Sequence, residues 1–186
     1  RLLLADTVRA ATYPGEFLLT GIPRFNGNNR PLNSAFLFDH YANLRGVYDK
    51  RHLVPFGEYV PFRSWVPFLD IIAGPADFVA GEQNHLIAVP GIGQIQTVIC
   101  YEVIFASKVV ASHERPDLIV NITNDAWFGA TIGPWQHLYQ SQMRAVEEGI
   151  PLLRVANTGI SAGFDGSGRQ LGSIPFGARA YLDIAI

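Results

Sequence analysis

Short apolar runs closed off by glycine, proline or polar residues recur along this chain, and two stretches among them have helical spacing; that succession constrains the fold more than any single residue. Glu16 to Ile22 and Asp117 to Ile122 read as buried strands, with Asn26 to Pro31 as a loop. Ser34 to Phe38 and Leu44 to Tyr48 flank His40-Tyr41-Ala42-Asn43 as an antiparallel pair. Leu86 to Val89 and Gln94 to Cys100 pair in the same way across Pro90-Gly91-Ile92-Gly93. Residues 1–12 carry Leu3, Leu4, Val8 and Ala11 at helical spacing before Pro14-Gly15 stops the element. A second helix is expected from Phe105 to His113. Pro134 opens a third, whose Trp135, Leu138 and Ala145 share a stripe that ends at Gly149. Leu152 to Ala156, Ile160 to Phe164 and Ala180 to Ile184 are expected as short strands between glycine-rich turns. Helices alternating with strands and hairpins imply an α/β layered domain with a mixed sheet.

The 186 residues fit one domain with a core large enough to need no disulfide or metal staple. The net charge of −2, with both signs interspersed, leaves no basic footprint, so nucleic acid is excluded as a partner. Charged residues make up only 16%, so the surface is either small or partly apolar, as burial or a membrane neighbour would explain. A single cysteine leaves the redox compartment open. No apolar stretch reaches the roughly 18 residues needed to span a bilayer. Arg1-Leu2-Leu3-Leu4-Ala5-Asp6 begins as if inside a helix and without an initiator methionine, so the chain is expected to be a piece of something longer.

Chemistry concentrates at three places. Cys100 follows Thr97-Val98-Ile99 and precedes Tyr101-Glu102, at the rim of a sheet where open α/β folds hold their ligands. A lone cysteine there is either a small buried hydrophobe or an acyl-carrying nucleophile. Lys50 and Glu58 sit in the proline- and glycine-rich segment 49–61. There an ammonium could stabilise an anion on a substrate carbonyl and a carboxylate could take a thiol proton, although each alone reads as an ordinary surface charge. In Asn121 to Gly129, Trp127 and Phe128 either fold back into the core behind a turn capped by Asp125 or wall a pocket beside the thiol.

Taken together, Lys50 with His52-Leu53-Val54-Pro55-Phe56-Gly57-Glu58, Cys100-Tyr101-Glu102, Asn124-Asp125-Ala126-Trp127-Phe128-Gly129, Gly133-Pro134-Trp135-Gln136-His137 and Met143-Arg144-Ala145 resemble the periplasmic domain of the apolipoprotein N-acyltransferase family. That family is the membrane-anchored branch of the nitrilase, or carbon-nitrogen hydrolase, superfamily. The resemblance implies an αββα four-layer sandwich, incomplete at its N-terminus, and a Glu-Lys-Cys triad without cofactor or metal. Cys100 would be the nucleophile, Lys50 the triad lysine and Glu58 a supporting glutamate, with Tyr101, Glu102, Trp127 and Phe128 on the substrate side. The triad's base belongs to a Pro-Glu motif that no residue here matches; Glu16 and Glu82 stand in the wrong contexts. The implied partners are a phospholipid acyl donor and a diacylglyceryl-cysteine lipoprotein acceptor at the periplasmic face of a bacterial inner membrane. The apolar loop 62–83, with Trp65, Phe68, Leu69, Ile71 and Ile72, is a second place to meet lipid.

Two rivals remain at the level of sequence: a soluble carbon-nitrogen hydrolase cleaving a small amide with the same cysteine, and a lipid- or protein-binding module that performs no reaction. Gly159-Ile160-Ser161-Ala162-Gly163 matches a serine nucleophile elbow, but Ser161 is expected inside a strand and not on a strand-to-helix turn. His40, His52, His85, His113 and His137 form no metal-binding spacing, and His137 is expected to face a helix neighbour. Gly91-Ile92-Gly93 lacks the third glycine of a dinucleotide loop.

Overall fold

The computed structural model describes residues 2–61, 77–82, 86–110 and 114–186. Most of the apolar loop expected over 62–83 lies outside them, as do 111–113. The chain divides into two compact units, Arg1–Asn84 and His85–Ile186.

In the first unit, helix α1 (Leu2–Ala11) precedes strand β1 (Phe17–Gly21) and a two-residue hairpin, β2 (Arg24–Phe25) with β3 (Pro31–Leu32). Strands β4 (Ser34–Asp39) and β5 (Leu44–Asp49) pair antiparallel across the His40–Asn43 turn, and β1 joins the outer edge of β4. Ala35, Leu37 and Phe38 of β4 are buried, so this central strand carries the apolar load. Chain 50–61 is irregular, held by the Pro55–Tyr59 bridge and by turns on the carbonyl of Val54.

The second unit is built on a six-stranded sheet in the order β11-β10-β9-β8-β7-β6. Strands β7 (Gly93–Ile99), β8 (Leu118–Asn124) and β9 (Leu152–Asn157) are parallel; β6 (Ile87–Val89), β10 (Ser161–Phe164) and β11 (Gln170–Ile174) flank them antiparallel. Parallel strands buried on both faces need near-continuous apolar runs. Val98, Ile119, Leu152 and Phe164 accordingly form the core with Val103, Ala145 and Ile150. Helix α2 (Gly133–Glu148) supplies the long connection that a parallel β8–β9 pair requires. Pro134 stands in its first turn, and Gly149 ends it at φ 62°, where glycine is unstrained.

Two expected elements differ. The helix expected from Phe105 to His113 is instead a short 3₁₀ turn, Cys100–Ile104, followed by turns and bends through 110. Val103 from that 3₁₀ turn and Val109 from the bends after it reach the core without a helix. The strand expected over Ala180 to Ile184 is irregular, and the last strand of the sheet is β11, ten residues earlier. Leu182 and Ile184 in that segment pack on the sheet without pairing with it. Their side chains lie where Gly172 and Gly163 have no Cβ and leave room on the sheet. Among the described residues no helix is long and apolar enough to cross a membrane.

Candidate active site

In the first unit, Lys50 stands at the end of β5 and is 1% exposed. Its Nζ donates to Glu58 Oε2 at 2.6 Å, and Val54 N–H donates to the same oxygen at 2.8 Å. Asn33 Nδ2 donates to the other carboxylate oxygen at 2.9 Å. The structure thus brings together the two residues that sequence could treat only one at a time. A lysine buried to this degree needs a partner, and the turn that carries Glu58 back over Val54 supplies it.

In the second unit, β7 delivers Cys100 to a sharp bend. Cys100 is half-buried and has φ 54°, a left-handed conformation that costs a non-glycine residue on the order of 1–3 kcal/mol. Such strain persists only where the surroundings enforce it. Here Glu102 Oε2 accepts from Ile99 N–H at 2.8 Å, pinning the entry to the bend. The Cys100 carbonyl accepts from His137 Nε2 at 3.2 Å and Asn121 Nδ2 at 3.3 Å. Arg144 Nε and Nη2 donate to the carbonyls of Val103 and Ile104 at 3.0 and 3.2 Å, holding the exit.

Beneath the bend lies a buried charge network. Asp125 Oδ1 is 2.9 Å from His137 Nδ1, its other oxygen takes Arg154 Nη2, and Thr123 Oγ1 donates to Oδ1 at 3.1 Å. Arg154 also donates to Asn121 Oδ1 at 2.7 Å and to Ser141 Oγ and the Ile160 carbonyl, each at 3.2 Å. Burial pushes the Asp125 carboxyl up, but the His137 hydrogen bond and the Arg154 charge outweigh it and hold it below the usual carboxylate range. Burial pulls the Arg154 guanidinium down, opposed by the charge and hydrogen bond of Asp125 and by the charge of Cys100.

Beside the bend, Tyr101, Ile104, Phe128, Gln136, His137 and Tyr139 are among the residues lining an open cleft of about 330 Å³; Cys100 is not part of its wall. Phe128 packs edge-on against His137, while Trp127 is 87% exposed and does not fold back into the core. Glu102 is buried and turned toward backbone. Asn124, not Asp125, caps the turn, accepting from Ala126 N–H. His137 does not face a helix neighbour; it reaches from α2 to Asp125 and to the Cys100 carbonyl. Neither its role nor that of Arg154 was inferred from sequence. The available signal was a charge inside the otherwise apolar run Leu152-Leu153-Arg154-Val155-Ala156. Ser161 lies in β10 and its Oγ accepts from Ala156 N–H, so the apparent serine elbow is a sheet contact, as expected.

The second unit is thus an α/β sheet with a cysteine on a strained strand-to-turn bend over a buried polar network, and the first buries a lysine-glutamate pair. The chain belongs to the carbon-nitrogen hydrolase family, whose model matches residues 3–182. It is 42% identical to an apolipoprotein N-acyltransferase of Bradyrhizobium diazoefficiens, over 92% of this chain and 34% of the relative. It is 41% identical to that of Sinorhizobium medicae, over 98% of this chain and 33% of the relative. The chain thus spans about a third of the length of these relatives. Among solved structures, it is similar to a substituted amidase from Nesterenkonia sp. AN1 that carries the acetamide moiety of fluoroacetamide on its active-site cysteine. The TM-score is 0.65 with 24% identity, covering 94% of this chain and 61% of the amidase. The nitrilase-type α/β fold implied by the sequence resemblance is therefore met.

Proposed function

We propose that the chain is the single nitrilase-like domain of an apolipoprotein N-acyltransferase on the periplasmic face of a bacterial inner membrane. The reading is carried by Cys100, a lone thiol at a strained bend in a chain about 40% identical to enzymes of that name. The reaction begins when a base, assigned by resemblance to the Pro-Glu glutamate that this sequence does not match, takes the thiol proton. The sulfur attacks the ester carbonyl of a phospholipid acyl chain. The carbon-oxygen ester bond then breaks, the lysophospholipid oxygen takes up the proton, and an acyl thioester remains on Cys100. The α-amine of a diacylglyceryl-cysteine next attacks the thioester, an amide forms, and the thiol is released with its proton, a ping-pong sequence. The scheme requires the Lys50 ammonium within reach of the thioester oxygen. With the Tyr101 backbone N–H it would hold the oxyanion, each donor contributing on the order of 3 kcal/mol. Glu58 holds that ammonium in place. Tyr101, Phe128 and the exposed Trp127 suit an acyl chain better than a small amide. The amidase alternative has only the more distant solved neighbours behind it, at 23–24% identity.

Intact-mass measurement of the full-length gene product after mixing with phospholipid tests the reading. A fatty-acyl increment that disappears in Cys100→Ala is expected; active wild-type protein that never gains one removes the thioester from the reaction.

A further inference from the structure

The left-handed bend at Cys100 needs something to enforce it, and the enforcing groups come largely from one face of α2. His137 and Arg144 are seven residues apart on that helix, both buried, and both donate into the 3₁₀ turn that Cys100 begins. Arg144 grips the far end of the turn. His137 alone among the α2 side chains named here grips the carbonyl of the nucleophile, where it is joined by Asn121 from β8.

The orientation of His137 is fixed from behind. Nδ1 is 2.9 Å from Asp125 Oδ1 and Nε2 is 3.2 Å from the Cys100 carbonyl oxygen, which can only accept, so Nε2 is the donor to it. Arg154 Nη2, 3.2 Å from Nδ1, donates to the same carboxylate. Asp125 is therefore clamped between the imidazole and the guanidinium, and Thr123 completes its hydrogen bonds. Arg154 also holds Asn121 Oδ1, which leaves Asn121 Nδ2 turned toward the Cys100 carbonyl. Both groups that grip this carbonyl are thus set by one guanidinium, His137 through Asp125 and Asn121 directly.

We propose that His137 is a positioning residue for Cys100: braced by Asp125 and Arg154, it holds the carbonyl of the nucleophile's own peptide, and so the bend that presents Sγ to the acyl donor. The inference rests on the reading of Cys100 as acyl carrier and adds to it a device that acts through the Cys100 backbone and not on its sulfur. A ring that only filled space would leave thiol reactivity unchanged once the fold was intact.

The test uses iodoacetamide as a probe of Cys100 on the full-length gene product, beside acyl-transfer kinetics. His137→Leu is expected to slow alkylation and lower kcat on the order of 10- to 100-fold, with KM for phospholipid little changed. His137→Gln, which keeps a donor near the Nε2 position, is expected to recover most of that loss. Alkylation of His137→Leu at the wild-type rate overturns the proposal. Wild-type Cys100 reacting no faster than a free thiol overturns the acyl-carrier reading as well, so the two failures are distinguishable. Should His137→Leu not fold, the imidazole ¹⁵N spectrum of wild-type protein decides, with the His137 signals assigned by their loss in His137→Gln. A hydrogen on Nε2 is expected, and a bare Nε2 overturns the proposal.

Discussion

Lys50 in the first unit meets Glu58, whose side chain keeps a 12% edge to solvent, whereas Arg154 in the second meets Asp125 with neither side chain exposed at all. Both are buried cations held by one carboxylate, yet their surroundings differ. Glu58 is filled out by a backbone N–H and by Asn33, groups on nearby irregular chain. Asp125 and Arg154 are tied into β8, α2 and the chain just before β10 by five further side-chain hydrogen bonds, to Thr123, His137, Asn121, Ser141 and the Ile160 carbonyl. A carboxylate with an edge to water can lose its partner and be rehydrated, while one with no edge cannot. The first arrangement suits an ammonium that must turn toward a substrate. The second suits a fixed platform under a strained bend.

The sharpest way to break the contrast is to remove the cation of the second unit. Arg154→Met leaves Asp125 buried with a histidine but without its guanidinium, and is expected to cost about 3–5 kcal/mol in urea unfolding. The guanidinium also releases Asn121, Ser141 and the Ile160 carbonyl, so the loss is expected at the top of that range.

A smaller expected effect comes from pressing on the platform without changing a charge. A Cβ at Gly159 would overlap the Asp125 carboxylate, lying 2.7 Å from its Cβ and 2.8 Å from its Cγ. Gly159→Ala is therefore expected to cost about 1–3 kcal/mol, as overpacking does, and to slow Cys100 alkylation by moving Asp125 off His137. Gly27→Ala, which meets nothing within 4 Å, is the control and is expected to leave both unchanged. Equal behaviour of the two variants would show that the platform yields, against the contrast drawn above.

On the first unit's side, Glu58→Gln puts an NH₂ group opposite either Asn33 Nδ2 or Lys50 Nζ and Val54 N–H, since all three contacts are donors. The mismatch is expected to cost toward the lower end of about 1–3 kcal/mol, because water can reach the carboxamide. Acyl transfer is expected to fall much further than stability does. A stability loss matching that of Arg154→Met would erase the difference between the two ion pairs.

The unequal surroundings also explain what could be read from residue order. Strand runs such as Asp117 to Ile122 and the helix from Pro134 to Gly149 declare themselves through local composition, and the structure has them within two residues. Cys100 with Tyr101-Glu102 and Lys50 with Glu58 were visible because each sits in a short motif. His137 and Arg154 were not, because their partners lie far along the chain: His137 with Asp125 and Cys100, Arg154 with Asn121 and Asp125. A buried polar network assembled across strands leaves no periodic trace. The misplaced last strand has a related cause, since Leu182 and Ile184 pack at glycine gaps in the sheet and do not pair with it.

The smallest expected effect is acid sensitivity at a third carboxylate, which sharpens the contrast by adding a pair whose cation is largely exposed. Asp39, at the end of β4, accepts from Asn43 N–H at 2.8 Å, Asn43 Nδ2 at 2.9 Å and Arg45 Nε at 2.9 Å. Burial pushes its carboxyl up, but these hydrogen bonds and the Arg45 charge outweigh burial and bring it to about 2. The unfolded carboxyl titrates near 3.9, roughly the model-peptide value. Because the folded value is the lower one, the contribution is fully present above about 3.9 and fades as pH falls through about 2. Arg45 is 53% exposed, so solvent screens the pair and the contribution is small. Asp39→Asn is expected to flatten the fall in urea midpoint across that window without abolishing it, because Asp125 and Asp165 are also held below the usual carboxylate range. An unaltered acid limb in Asp39→Asn would mean that the His40–Asn43 turn does not depend on the charge of Asp39, and that acid stability rests with the buried carboxylate of the second unit.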